Sequence, residues 1–340
     1  MTDPNPAEMS EPDIPARSFP LSARAPGKCI LFGEHAVVHG RPELLLAIDL
    51  YTQVTARRAE RYRLNADTDP LSRNPYLARS ISEHWKNGPP LEFRVSTRIP
   101  KAAGLGSSAA FSADLGAILG SANGGVDRPT LAQTAFSIEQ GAQGVGSPGD
   151  TSAVVAGGVL SVNGGKGTLL WSVADAAASW KVRRVRDPNW SWLVAYSGIP
   201  RNTGATVRRV GERLAAPDGP ALLEQFAQVA DEGIAAVEAE DRERVGRLMR
   251  RNHELLREVG VSHPRLEELI AAVEDVCEGA KLTGAGAGGS IVALPRPGRE
   301  LEAARRITRV GGVAFPVRAA ASGATLVEGT APPVTPATGP

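Results

Sequence analysis

Long apolar runs, cysteine pairs and excess charge are all missing from this sequence, and each absence excludes a class of protein. No apolar run reaches the roughly 18 residues that a membrane-spanning helix needs. The N-terminal segment lacks the basic and apolar regions of a signal peptide. The two cysteines, Cys29 and Cys277, do not form a CxxC pair, so a zinc knuckle or a redox motif is not supported. We therefore expect a cytoplasmic protein with free thiols and no membrane contact.

The charge is nearly balanced, with a formal net value of +1 at pH 7. Such a protein has no broad field that would attract nucleic acid, so we expect no nucleic-acid partner. The 42% of hydrophobic residues and 22% of charged residues are typical of a globular protein. A chain of 340 residues is long enough for one large domain or two ordinary ones.

Composition divides the chain into four parts. Residues 1–20 and 330–340 are rich in proline and are predicted to be disordered tails. Residues 21–198 contain most of the predicted strands, whereas residues 199–329 have mainly helical periodicity. This change near residue 200 indicates two lobes of mixed helix and strand with a cleft between them. Strands are predicted at 28–32, 45–56, 91–99, 152–162, 191–197, 313–319 and 325–328, and helices at 111–122, 131–140, 203–215, 220–238, 241–259 and 264–279.

A glycine-rich loop, GLGSSAA at 104–110, lies between a predicted strand and a predicted helix. Backbone N–H groups at a helix N-terminus bind phosphate, and glycines allow the chain to approach the anion closely. The hydroxyl of Ser108 can also bind Mg²⁺, which prefers oxygen ligands. We therefore predict a phosphate-binding loop, formed by Gly104, Leu105, Gly106, Ser107, Ser108 and Ala109.

Two other phosphate-site interpretations of the glycine-rich segments are weaker. The P-loop pattern GxxxxGK[ST] does not occur, which disfavours a Walker-type nucleotidase. The dinucleotide pattern GxGxx[GA] matches 104–109 and 284–289, but the acid that should follow the first match, Asp127, stands at a predicted helix start. The second match leads into a strand rather than a helix, so a dehydrogenase is disfavoured. The remaining alternative is that these glycines only form tight turns.

The stretch FGEHAVVHG at 32–40 raises the question of a metal site. A zinc protease has the pattern H-E-x-x-H, with glutamate directly after the first histidine. Here the two histidines, His35 and His39, have the spacing of that pattern, but Glu34 precedes His35 and Ala36 stands where the pattern requires glutamate. A zinc protease is therefore disfavoured, and packing or a different chemistry has to account for these residues.

Three blocks of the sequence, in the same order, resemble the GHMP kinases, small-molecule kinases named for galactose, homoserine, mevalonate and phosphomevalonate. The blocks are APGKCILFGEHAVVHG at 25–40, PKAAGLGSSAA at 100–110 and KLTGAGAGGSIVAL at 281–294. Within the family, GEHAVVHG is similar to the mevalonate kinase branch, as are SPGD at 147–150 and PRNT at 200–203. The chain length is similar to the compact bacterial and archaeal type. Two positions depart from the family pattern, Ala287 in place of glycine and Ser290 in place of a frequent cysteine.

The resemblance implies an α+β, two-lobe GHMP kinase fold with the active site in the cleft. The N-terminal lobe is expected to be ribosomal-protein-S5-like and the C-terminal lobe ferredoxin-like. The implied reaction moves the γ-phosphoryl of ATP to the 5-hydroxyl of mevalonate, with Mg²⁺, and gives 5-phosphomevalonate for isoprenoid synthesis. The alternatives are a related kinase for another small alcohol, such as phosphomevalonate, homoserine or a sugar, and a non-catalytic ligand sensor. A homodimer is possible.

The resemblance also implies catalytic and metal-binding roles. Asp150 matches the family's catalytic aspartate, which takes the hydroxyl proton or orients the hydroxyl, although aspartate is also common in ordinary turns. Lys28 matches the cation beside that aspartate, and a lysine in an apolar strand needs either a partner or a route to solvent. Glu139, eleven residues before Asp150, matches the Mg²⁺-binding glutamate, with Ser108 as the other protein ligand.

The substrate pocket is implied to contain Glu34, His35 and Thr203. Glu34 and His35 would hydrogen-bond the hydroxyl or the carboxylate of the substrate, although a structural role for His35 remains open. No family role corresponds to His39, for which a turn or packing is the simpler interpretation.

Overall fold

The computed structural model describes residues 14–144, 146–200 and 203–328. Its strands are β1 (Ile14–Pro15), β2 (Leu21–Phe32), β3 (Glu43–Arg58), β4 (Arg63–Leu64), β5 (Leu91–Thr97), β6 (Gly125–Val126), β7 (Val159–Val162), β8 (Thr168–Ala174), β9 (Ser179–Val185), β10 (Trp192–Tyr196), β11 (Cys277–Thr283), β12 (Ser290–Pro295), β13 (Val313–Val317) and β14 (Thr325–Leu326). Its helices are α1 (Pro70–Arg73), α2 (Pro75–His84), α3 (Ser107–Ala122), α4 (Arg128–Gln143), α5 (Gly149–Ala156), α6 (Thr203–Leu214), α7 (Gly219–Glu238), α8 (Arg242–Glu258), α9 (Pro264–Ala271) and α10 (Glu300–Arg309).

The larger sheet has the strand order β14-β2-β3-β7-β9-β8, with β5 also paired to β3 and β4 to β5. Its central strand β3 contains consecutive buried leucines at 44–46. Successive side chains of a strand point to opposite faces, so the sheet must be covered on both sides there. Helices α3 and α5 contact this part of the sheet, and so does α7 from the C-terminal half of the chain.

The smaller sheet is antiparallel and has the order β11-β12-β10-β13. In chain order these are the second, third, first and fourth strands. Helices α6 to α9 connect the first strand to the second, and α10 connects the third to the fourth. This βαββαβ connection with strand order 4-1-3-2 is the ferredoxin-like arrangement, which confirms that prediction for the C-terminal lobe.

The sheets do not divide at the predicted boundary between 198 and 199. Strand β10 (Trp192–Tyr196) lies in the smaller sheet, between β12 and β13, although it precedes that boundary. Strand β14 (Thr325–Leu326) returns to the larger sheet and pairs with Ala23 and Arg24 of β2. The N-terminal segment therefore contributes β10 to the smaller sheet, and the C-terminal segment contributes β14 to the larger one. Composition alone does not show this strand exchange between the lobes.

The sequence predicted that folded structure begins at residue 21, but it begins earlier. Strand β1 (Ile14–Pro15) pairs with β6, and the N–H of Arg17 donates to the carbonyl of Ser121 at 3.2 Å. Burial of the apolar side chain of Ile14 accounts for this early start. The remainder of the predicted N-terminal tail, 1–13, and the predicted tail at 330–340 lie outside the described residues.

Two predicted elements are wrong. Residues 152–162 were predicted as one strand, but they form the end of α5 and then β7, separated by Gly157, which has a φ of 74°. The helix predicted over 264–279 ends at Ala271, because the chain already enters β11 at Cys277. The predicted start of α4 is confirmed, since the Asp127 carboxylate accepts the N–H of Thr130. Within the described ranges, no helix combines the length and the apolar composition needed to cross a membrane.

Candidate active site

The three sequence blocks meet at one place, where they are joined by hydrogen bonds. The N–H of Lys28 in the first block donates to the carbonyl of Leu105 in the second at 2.9 Å. The hydroxyl of Ser290 in the third block donates to the carbonyl of Ala103 at 2.9 Å. The N–H of Ile30 donates to the Thr283 hydroxyl oxygen at 2.8 Å, which links the first block to the third. Segments far apart in the sequence thus form a single site.

The glycine-rich loop leads into α3, as predicted, and lies along a cavity of about 560 Å³. At Gly106 the backbone has a φ of 78°, and a Cβ there would lie 2.8 Å from Cγ of Lys28. Glycine is therefore required both for the turn and for the approach of the lysine. Gly104 to Ser108 line the cavity, whereas Ala109 is fully buried in the first turn of α3.

Lys28 and Asp150 form an ion pair beside this loop. The Nζ atom of Lys28 lies 2.8 Å from Oδ1 of Asp150. The lysine side chain is 1% exposed and the aspartate side chain 32% exposed. Asp150 stands in the first turn of α5, so a helix positions its side chain. The lysine is thus fixed in the interior, while the carboxylate still reaches the solvent side of the site.

Ser108 and Glu139 are also brought together. The Ser108 hydroxyl donates to Oε1 of Glu139 at 2.7 Å, and the Ser112 hydroxyl, one turn further along α3, donates to Oε2 at 3.2 Å. The amide of Gln143 donates to Glu139 as well. Burial and the negative charge of Asp150 together raise the pKa of Glu139 to about 7, against the lowering effect of these hydroxyl groups.

The donor set suits a magnesium ion. The Ser108 hydroxyl and the Glu139 carboxylate are hard oxygen ligands, and a buried carboxylate beside the negative charge of Asp150 favours a nearby cation. Among the described residues, no group of three or more His, Cys, Asp or Glu side chains could hold a metal ion. An ion here would therefore depend on one carboxylate, one hydroxyl, water and the phosphates of a nucleotide, which is the usual environment of Mg²⁺.

Glu34 lies in the interior and does not face an open surface pocket. Its side chain is 1% exposed and forms an ion pair with Lys281 of β11, whose side chain is 0% exposed. Burial raises the pKa of Glu34 and lowers the pKa of Lys281, while the attraction between the two charges acts against both shifts. The ion pair joins the first block to the third.

The neighbouring His35 has a φ of 65°, and its Nε2 lies 3.2 Å from the carbonyl oxygen of Ala285. A carbonyl only accepts, so Nε2 carries the hydrogen of this bond. The other histidine of the motif, His39, is exposed in a short 3-10 turn. Thr203 begins α6, but its side chain lies outside the described part of the chain, as do Arg201 and Asn202 of PRNT.

Three polar residues of this region were missed by the sequence analysis: Lys281, Glu43 and Ser112. Lys281 has the same signal as Lys28, a lysine at an apolar strand, so that argument could have found it. Ser112 lies four residues after Ser108 and therefore on the same helix face. Glu43 directly precedes the apolar run LLLAI, a position from which sequence cannot tell a buried acid from an exposed one.

Comparison with known proteins agrees with this arrangement. A family model described as the GHMP kinases N terminal domain matches residues 75–158, and one described as GHMP kinases C terminal matches residues 234–312. A mevalonate kinase of Archaeoglobus fulgidus is 32% identical over 81% of this chain and 92% of its own length. The chain belongs to the GHMP kinase family. A mevalonate kinase of Thermococcus gammatolerans is 31% identical over 85% of this chain and 93% of its own length.

The crystal structure of the Methanococcus jannaschii mevalonate kinase has the same fold. It superposes with a TM-score of 0.71 at 24% identity, covering 89% of this chain and 99% of that one. The two-lobe GHMP kinase fold predicted from the sequence is thereby confirmed, and the dehydrogenase interpretation is excluded. The third GHMP block differs as expected at Ala287, which adopts a φ of 56°, a left-handed conformation that costs a non-glycine residue roughly 1–2 kcal/mol.

Proposed function

We propose that this protein is a mevalonate kinase, which transfers the γ-phosphoryl of ATP to the 5-hydroxyl of mevalonate and forms 5-phosphomevalonate in isoprenoid synthesis. The observation that carries the proposal is the Lys28–Asp150 ion pair at 2.8 Å beside the glycine-rich loop. Relatives of 31–32% identity that carry the name mevalonate kinase support the choice of substrate.

The nucleotide is proposed to occupy the 560 Å³ cavity along the glycine-rich loop. The loop and the N-terminus of α3 supply backbone N–H groups for the phosphates. Away from the loop the cavity is lined by apolar, aromatic, hydroxyl and amide side chains, which suit the flat, partly polar surface of a nucleotide base. These lining residues include Leu64, Asn65, Asn74, Tyr76, Val95 and Thr97.

The chemistry follows from the two charged side chains. The Asp150 carboxylate is exposed enough to meet the substrate hydroxyl, where it takes the proton as a general base or orients the hydroxyl for attack. Lys28 holds that carboxylate and places a positive charge where negative charge builds up on the transferring phosphoryl group. Because phosphoryl transfer depends mainly on positioning and charge neutralisation, a rigid pair of this kind is what the reaction needs.

Magnesium is proposed to be held by Ser108 on α3 and Glu139 on α4, whose Oγ and Oε1 atoms lie 2.7 Å apart. When bound there, the ion neutralises phosphate charge. Ser112 and Gln143 keep the Glu139 carboxylate in place by hydrogen bonds.

On the substrate side, Glu34, His35 and Thr203 remain our candidates for the mevalonate pocket. The carboxylate of Glu34 is paired with buried Lys281, so Glu34 would contact the substrate while it remains in that ion pair. His35 is fixed at the loop of the third block through Ala285. A homodimer and a cytoplasmic location also stay predictions, the latter supported by two buried free thiols, Cys29 and Cys277.

The proposal is tested with a coupled ADP-release assay with Mg²⁺ and ATP and a panel of mevalonate, phosphomevalonate, homoserine and galactose. Turnover confined to mevalonate is the expected result. Turnover of another member of the panel would keep the catalytic residues and replace the substrate. Nucleotide binding without turnover of any compound would favour the ligand-sensor alternative.

A further inference from the structure

Glu43, the first residue of β3, is a buried acid that none of the roles above uses. Glu43 is 2% exposed, and its Oε2 atom is buried without a hydrogen-bond partner. An unsatisfied polar atom in the interior is costly. Its persistence beside the candidate active site therefore calls for an explanation.

Glu43 touches the segments that carry two of the acids of the candidate site, Asp150 and Glu34. A Cβ built on Gly149, the residue before Asp150, would lie 2.2 Å from Oε2 of Glu43. A Cβ built on Gly33, the residue before Glu34, would lie 2.7 Å from the Cα of Glu43. The side chain thus lies against the start of α5, and the backbone lies against the turn of the first block.

The surrounding charges leave no cation for Glu43. The ionisable groups that act on it are Lys28, Glu34, Asp150 and Lys281. Lys28 is paired with Asp150, and Lys281 is paired with Glu34. Burial, followed by repulsion from Asp150, raises the pKa of Glu43 well above its ordinary value.

We propose that Glu43 is a positioning residue for the Lys28–Asp150 pair, an uncharged carboxylic acid whose contact with Gly149 fixes the start of α5 and so the direction of Asp150. The inference rests on the proposed kinase function, in which Asp150 meets the substrate hydroxyl. Ionisation of Glu43 as the pH rises would add a third negative charge, which would repel Asp150 and compete for Lys28. The uncharged form is therefore the active one.

The activity test compares wild type with Glu43→Gln and Glu43→Ala. Glutamine keeps the shape and the contact with Gly149 but does not ionise, whereas alanine removes the contact. We expect kcat to fall about 10-fold or more in Glu43→Ala with little change in the KM for ATP, since small displacements of a catalytic group are costly. Glutamine should restore most of that loss.

The pH profile separates positioning from mere packing. In wild type, kcat should decline as the pH rises and Glu43 ionises, and Glu43→Gln should lack that decline. Asp114→Asn is the matched control, because Asp114 is also fully buried, with both carboxylate oxygens unpartnered, but lies further along α3. It should keep the wild-type profile. An unchanged decline of kcat with rising pH in Glu43→Gln, or a loss of kcat at neutral pH equal to that of Glu43→Ala, would overturn the proposal.

A stability test works without any substrate. A pKa raised in the folded state means that the folded protein binds the extra proton, so stability is lost as pH rises above the unfolded value. The Tm of Glu43→Gln relative to wild type should therefore rise with pH. Gly149→Ala should lower the Tm through its clash with Oε2 and should lower it less in the Glu43→Ala background.

These stability results separate failure of the inference from failure of the proposed function. Both effects should appear even if mevalonate is not turned over, in which case only the function is wrong. A flat Tm difference across pH, or full additivity of the Gly149 and Glu43 substitutions, would refute the uncharged contact, whatever the activity.

Discussion

The two buried lysines allow the same substitution to be made in two different environments. Lys281 and its partner Glu34 are 0% and 1% exposed, so Lys281→Met would leave a carboxylate buried without its cation. Breaking a fully buried ion pair in this way costs about 3–5 kcal/mol. Since a domain is stable by about 5–15 kcal/mol, Lys281→Met should lose a large part of the stability of the protein.

Lys28→Met should behave differently, because Asp150 is 32% exposed and water can reach its carboxylate once the lysine is gone. We therefore expect a stability loss of only about 1 kcal/mol, close to that of an exposed pair. Activity should suffer instead. Removing one preorganised group that stabilises transition-state charge lowers kcat by about 100- to 1,000-fold.

Urea unfolding followed by circular dichroism and the ADP-release assay measure both quantities on the same samples. Lys86→Met, at an exposed lysine after α2, controls for the substitution itself. Adding Glu34→Gln to Lys281→Met should recover stability, since no buried charge remains. Without its cation, Glu34 keeps a folded-state pKa raised by burial, so the loss in Lys281→Met should grow as pH rises.

Equal stability losses in the two methionine variants would refute this reasoning, because they would show that the exposure of the partner does not matter. A Lys281→Met protein as stable as wild type would show that the Lys281–Glu34 pair carries no net stabilisation. A Lys28→Met protein with kcat within about threefold of wild type would remove Lys28 from charge stabilisation.

Three further substitutions test single parts of the site. Asp150→Asn should lower kcat by about 100-fold or more while calorimetry shows unchanged ATP binding, and near-normal turnover would remove Asp150 from the chemistry. Ser108→Ala should raise the Mg²⁺ concentration needed for half-maximal activity, and an unchanged Mg²⁺ titration would contradict its role as a ligand. Gly106→Ala should weaken ATP binding and lower kcat, because the new Cβ meets Cγ of Lys28 at 2.8 Å where φ is 78°. Gly211→Ala, in open space on α6, should change neither, and equal effects of both alanines would refute the steric argument.

Local patterns predicted much of this protein correctly. The strand, glycine-rich loop and helix around 104–110, and the cap of α4 by Asp127, depend on residues close together in the sequence. Glycine, capping side chains and periodicity act over one or two turns, so their effects can be predicted without knowing the rest of the fold. The three blocks also predicted the GHMP kinase fold, which the family comparison confirms.

The prediction failed where local preference and tertiary context disagree. The segment SAVVAGGVL at 152–160 is short, apolar and β-branched, and such a run suits a buried strand or a buried helix equally well. Its first half is helical in the structure because α5 packs against α3 and α4. The same limit applies to strand exchange between the lobes, since the pairing partners of β10 and β14 lie far away in the chain.

The sequence by itself determined which chemical groups are available and the local turns that present them: the glycines of the loop at 104–110, the hydroxyl of Ser108, and the acids and lysines of the three blocks. Only the tertiary structure decided which charges are buried and which pairs they form. Glu34 and Lys281 are 247 residues apart, yet they share one interior site, and Glu43 is left beside them without a cation. Burial and pairing depend on which surfaces meet in the folded protein, and spacing along the chain carries no record of that.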